Sequence, residues 1–229
     1  MKNPRIIAAA AFICLAVLYF AVQGAGVAAE AICITLPELL LIAALVLFPD
    51  PSVDKVVRTR VLAALAFSIG GDISGSLKPV FGDPAFLGQI ALFSVAQVMY
   101  ALSFVRMIRI SPRITAAGWR WRIPFLVMMA IYFVTVGILV LSAIDSTVLL
   151  IACSVYFVLL IFTGSTSILQ TRKFHPAFIA GASIFILSDS MIAIHAFVHP
   201  VPHRAVLVMV TYFLAQLLLN LTLVRDKAQ

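Results

Sequence analysis

Three acidic residues stand inside long apolar runs of this sequence: Glu38, Asp72 and Asp189. An ionised carboxylate at bilayer depth costs about 2.5–3.5 kcal/mol on insertion scales, so such a group normally faces a bundle interior or a wet cavity and takes part in proton chemistry or solute passage. Neighbouring residues extend the polar surface. Ser68 lies one helical turn before Asp72, and Ser188 adjoins Asp189. Gln97 and Tyr100 share a helix face at i and i+3, while Gln216 and Asn220 share one at i and i+4, with Tyr212 a turn earlier. A purely structural alternative is that these groups join helices by hydrogen bonds. That suits the amides and serines. It suits the acids less, because neutral amides would join helices at lower cost.

The histidines invite a metal-site reading. His195, His199 and His203 recur every four residues, which on one continuous helix would form a ligand face. Pro200 and Pro202 interrupt that helix, so the register does not reach His203. Cys14, Cys33 and Cys153 lie in apolar runs without a CxxC pair and read as small packing residues. The expectation is no metal and no cofactor.

The elements that must position these groups follow from composition. Of 229 residues, 63% are hydrophobic and 11% charged, and the mean hydropathy is +1.15. A soluble domain of this size cannot hide so much apolar surface, whereas a bilayer accepts an apolar exterior. Helices of about 20 apolar residues span the hydrocarbon core. Runs between polar breaks place spans near 6–23, 31–48, 59–76, 85–106, 123–142, 147–169, 177–198 and 205–224. The chain therefore reads as an all-α, polytopic bundle of eight transmembrane helices in a single membrane domain. A cleaved signal peptide competes for the first run, with Lys2 and Arg5 as its basic start; an uncleaved first helix is the preferred reading.

The excess of Lys and Arg over Asp and Glu, 16 against 9, suggests nucleic acid only until its distribution is read. With the N-terminus inside, the cytoplasmic loops and ends carry Lys2, Arg5, Lys55, Arg58, Arg60, Arg106, Arg109, Arg113, Arg120, Arg122, Arg172, Lys173, Arg225 and Lys227; the outer loops carry Lys78 and Arg204. This is a topology signal, with both termini cytoplasmic and membrane lipids rather than nucleic acid as the partner. Trp119 and Trp121 are expected in the longest inner loop, at headgroup level.

An internal repeat joins the acids. Ala96-Gln97 followed by Ser103-Phe104-Val105-Arg106 resembles Ala215-Gln216 followed by Thr222-Leu223-Val224-Arg225. Gly71-Asp72-Ile73-Ser74 and Ser188-Asp189-Ser190 stand at similar distances upstream of their glutamines. Two parallel halves, 1–115 and 116–229, would set Asp72 and Asp189 opposite each other across a central interface. At 1.5 Å per residue, Asp72 lies roughly 18 Å beyond Arg60 and Asp189 roughly 24 Å beyond Lys173, comparable depths in the outer half of the membrane.

Phe67-Ser68-x-x-Gly71-Asp72, Ser188-Asp189 and Tyr212-x-x-Ala215-Gln216, with the number and order of the spans, resemble the YhhN/lysoplasmalogenase family. The resemblance implies hydrolysis of the vinyl ether bond of lysoplasmalogens, with Asp72 and Asp189 as the matching acids. Two positions depart from the family pattern: Leu36-Pro37-Glu38 stands where a Lys-Pro pair is usual, and Gln97 where a His is usual. Vinyl ether hydrolysis needs one carboxyl protonated and another ionised, as in glycosidases. Asp72 and Asp189 are thus the expected acid and base, and Glu38, Ser68, Gln97, Tyr100, Ser188, Tyr212 and Gln216 the groups that orient a lysolipid substrate or water. The chief rival is a small proton-coupled transporter using the same acids. A zinc hydrolase built on the outer histidines and a scaffold without a site are lesser alternatives.

Overall fold

The computed structural model describes residues 3–111, 113–171 and 175–226, with the backbone alone at His175. Lys2, Arg172, Lys173 and Lys227 of the expected cytoplasmic set lie outside the described residues. The ordered elements are helical: α1 (Pro4–Val22), α2 (Val27–Leu47), α3 (Lys55–Ser76), a single-turn α4 (Lys78–Phe81), α5 (Asp83–Ile110), α6 (Ala116–Leu141), α7 (Thr147–Leu169), α8 (His175–Phe197) and α9 (Arg204–Asn220), with a closing 3-10 turn over Leu221–Leu223.

Local chemistry sets the boundaries. Asn3, Asp54, Thr115 and Ser146 each cap a helix by accepting a backbone N–H of its first turn, satisfying a donor that the helix itself leaves unpaired. Gly82, at φ 64, ends α4 in a conformation that side chains disfavour, and lets the chain turn into α5. The long helices follow the expected spans within a few residues, with one exception. Thr115 starts α6 seven residues before position 123, so Trp119 and Trp121 belong to its first turns and not to a loop.

Among the described residues, seven helices are long and apolar enough to cross a bilayer. The remaining long helix, α3, has the length, 22 residues, but Asp72, the glycines and serines around it (Ser68, Gly70, Gly71, Ser74, Gly75, Ser76) and the basic start dilute its apolar character. Outward stripes carry large hydrophobic side chains: Val127, Ile131, Val134 and Ile138 of α6 are each more than half exposed, as are Val148, Ile151, Val155 and Val158 of α7. Exposed apolar stripes of this extent belong in hydrocarbon rather than water. The chain is an integral membrane protein.

The structure divides into two compact units, Met1–Tyr100 with Gln216–Gln229, and Ala101–Ala215. In the first, α1 packs along α2 and α2 along α3. The start of α1, the α2–α3 loop and the end of the chain meet at one end of this unit. Arg5 donates to the Val224 carbonyl at 2.7 Å and pairs with Asp226 at 3.1 Å. Asn3 donates to Asp226 at 2.6 Å, Asp50 N–H donates to the Leu223 carbonyl, and Arg225 N–H donates to the Phe48 carbonyl. In the second unit, α6 and α8 both pack on α7 and touch each other less.

Candidate functional site

The buried stripes of the first unit carry its polar groups. On α2, Ile34, Glu38, Leu41 and Leu45 share one face, and Glu38 is fully buried. On α3, Val57, Val61, Ala64, Leu65, Ser68 and Asp72 form the buried face, with Asp72 5% exposed. On α5, Phe93, Gln97 and Tyr100 recur at helical spacing and are all buried; at the end of the chain Gln216 and Asn220 are fully buried. Every sequence-derived candidate of this unit therefore lies inside, on a stripe otherwise made of Leu, Val, Ile and Phe.

Close helix approach beside Asp72 depends on glycine. A methyl group at Gly71 would lie 2.8 Å from the Phe93 ring, and one at Gly75 would lie 2.6 Å from the Gln89 amide. The space is filled by α5 side chains. Reciprocally, Ser74 donates to the Ala85 carbonyl at 2.8 Å, and its hydroxyl occupies the room left by Gly88. The antiparallel α3 and α5 are thus keyed together around the acid.

Among the polar groups the hydrogen bonds are specific. The Tyr100 hydroxyl donates to Gln216 Oε1 at 2.9 Å, and the Asn220 amide donates to the Tyr100 oxygen at 3.0 Å and to the Gln216 carbonyl at 2.7 Å. This network ties α5 to the end of α9, and the Glu38 carboxylate lies within electrostatic reach of Tyr100. Ser68 behaves differently. Ser94, Ser154, Ser190 and Thr211 all turn their hydroxyls back to the carbonyl four residues earlier, whereas the fully buried Ser68 Oγ has no hydrogen-bond partner among the described residues. One turn from Asp72, it retains both donor and acceptor capacity.

The second unit holds the other acid. Asp189, 8% exposed on α8, accepts a hydrogen bond from the Tyr156 hydroxyl of α7. Tyr132 of α6 stands beside Ser190 and within electrostatic reach of Asp189. Ser188, fully buried, donates to the Val208 carbonyl of α9 at 3.0 Å, and Tyr212 packs edge-on against Phe185 with ring centres 5.6 Å apart. Ser188 and Tyr212 therefore join α8 to α9. Tyr156 and Tyr132 were not among the candidates read from sequence. The sequence carries only a general signal, that a tyrosine in an apolar run buries a hydroxyl that must find a partner, and does not name the partner.

α8 ends at Phe197, so the three histidines do not share a helix face. His195 accepts from Val201 N–H at 3.1 Å, and His203 stands in the loop at φ 51. Among the described residues, no three His, Cys, Asp or Glu side chains are grouped as a metal site would require.

No solved structure matches the chain. The model of the YhhN family matches residues 30–223, from the first turn of α2 to the closing 3-10 turn, and the chain belongs to that family.

Proposed function

We propose that this member of the YhhN family hydrolyses the vinyl ether bond of lysoplasmalogen-like lysolipids, with Asp72 and Asp189 as its acid–base pair. The observation that carries the reading is the burial of both carboxyls on inward helix faces, in a chain of this family, where an idle charge would be costly. The resemblance between the two stretches of sequence, read as a repeat, would give the two aspartates equivalent positions in parallel halves and supports pairing them. We further assign both termini to the cytoplasm of a bacterial inner membrane, on the charge distribution of the loops.

The chemistry consumes one water and needs no redox partner. A protonated carboxyl delivers its proton to the alkene carbon remote from the ether oxygen, and positive charge develops as an oxocarbenium. The ionised carboxylate stabilises that charge and takes a proton from the attacking water. The resulting hemiacetal breaks its carbon–oxygen bond, releasing a fatty aldehyde and the glycerol hydroxyl, and the carboxyls return to their starting states. Tyr156 orients Asp189, and Ser68 supplies a hydrogen bond to substrate or water beside Asp72. Glu38, Gln97, Tyr100, Ser188, Tyr212 and Gln216 hold the walls that carry these groups.

Purified protein presented with vinyl-ether, alkyl-ether and ester lysolipids of one headgroup should release aldehyde from the first alone. Solute uptake into proteoliposomes, with every lipid left intact, would replace this reading with a proton-coupled transporter.

A further inference from the structure

A groove of about 690 Å³ runs along the second unit between α6 and α8. Its volume lies within the range of small-ligand sites, roughly 300–1,000 Å³. The walls are almost wholly apolar, with Phe125, Met129 and Phe133 on one side and Ile179, Ala180 and Ile186 on the other. It exists because α6 and α8 run parallel, each packed on α7. At Gly164 of α7 a methyl would lie 2.7 Å from Met129 Sδ and 2.9 Å from Ile186 Cδ1, so the absent side chain leaves room for both walls.

The two ends differ. One is bounded by Trp121, edge-on to Phe125 with ring centres 6.0 Å apart and with the Arg122 guanidinium 4.2 Å over its indole. The other is bounded by Tyr132, which stands beside Ser190 and within reach of Asp189. From Trp121 to Tyr132 is about 16 Å of helix, close to half of the roughly 30 Å hydrocarbon core. A trough of that length with apolar walls is long enough for most of one alkyl chain running through the core from Tyr132 toward the start of α6.

We propose that this groove seats the single alkyl chain of a lysolipid, with the ether oxygen toward Tyr132 and Asp189 and the terminal methyl toward Trp121. The assignment rests on the lysolipid reading above and names where the chain of that substrate lies. Trp121 and Phe125 form the stop that sets chain length.

The test uses the full chain in nanodiscs and a saturated alkyl-ether lysolipid, which cannot be hydrolysed as a vinyl ether, carrying a diazirine near its methyl end. After irradiation, peptide mapping should find the label on α6 near Trp121–Phe125 and on α8 near Pro176–Ala180; a diazirine near the ether should label around Tyr132 and Leu187. Excess unlabelled lysolipid should reduce labelling about tenfold. Ser183→Trp, on an exposed groove position, should do the same, while Ile138→Trp on the outer stripe of α6 should not. Label scattered over exposed apolar faces, or undiminished by competitor, would overturn the proposal from the wild-type protein alone. Should Ser183→Trp not fold, Ala180→Leu takes its place, and undiminished labelling there counts against the groove. Asp189→Asn should still be labelled. Groove labelling with turnover surviving in both Asp→Asn variants would remove the hydrolase reading and leave the chain site standing. Scattered label with turnover lost would do the reverse.

Discussion

Removing the Tyr156 hydroxyl takes one hydrogen bond from Asp189 and leaves the tyrosine ring in place. A hydrogen bond to a charged group contributes about 1.5–3 kcal/mol. Tyr156→Phe should therefore lower kcat/KM for aldehyde release by roughly ten- to hundred-fold and also lower Tm, since a buried acceptor loses its donor. Tyr100→Phe should lower Tm without a loss of turnover of that size. It removes the hydroxyl that Gln216 and Asn220 share in a fully buried site, which costs about 1–3 kcal/mol of stability, read as a lower Tm in detergent. Asp72, Asp189, Ser68 and Gln216 were visible in the sequence because a polar residue in an apolar run stands out by type. The roles of Tyr156 and Tyr132 were not visible, because a tyrosine is at home in such a run and only the packing of neighbouring helices shows which acid its hydroxyl meets.

Helix ends in this protein are held by arginines reaching from other helices. Arg122 of α6, 4% exposed, donates to the Ile168 and Gln170 carbonyls at 2.9 and 3.1 Å and to the Gly118 carbonyl at 3.0 Å, satisfying the end of α7. Arg5 of α1 does the same for the Thr222 and Val224 carbonyls. Both arginines read in the sequence as topology signals, and both also tie helix ends together within their units. Arg122→Ala should destabilise the protein by about 1–3 kcal/mol, measured by thermal unfolding, and Arg122→Lys should recover only part, because one ammonium cannot reproduce the planar fork. Gly71→Ala should cost a similar amount, about 1–3 kcal/mol, since its methyl must displace the Phe93 ring. The spans themselves were legible to within a few residues from hydropathy and turn residues. The start of α6 was not, because Trp119-Arg120-Trp121-Arg122 is polar enough to read as a loop until Thr115 is seen to cap a helix that includes it.

For the whole molecule, the meeting of both chain ends with the α2–α3 loop bears on how many times the backbone crosses the bilayer. Seven apolar helices alone would leave the ends on opposite sides, yet Asn3 and Arg5 bond to Asp226. Parity is restored when α3 also crosses, its polar residues turned inward. Single cysteines placed at Ser52 and Arg225 should accordingly be labelled from the same side by a membrane-impermeant maleimide, and one at Phe81 from the other. The proposed hydrolysis rests on the two carboxyls more than on any other feature, and neutralising each without changing its shape is the sharpest test. Aldehyde release from a lysoplasmalogen should fall to background in both Asp72→Asn and Asp189→Asn, with each variant eluting and melting like the parent protein. Turnover near the parental rate in both variants would contradict the account.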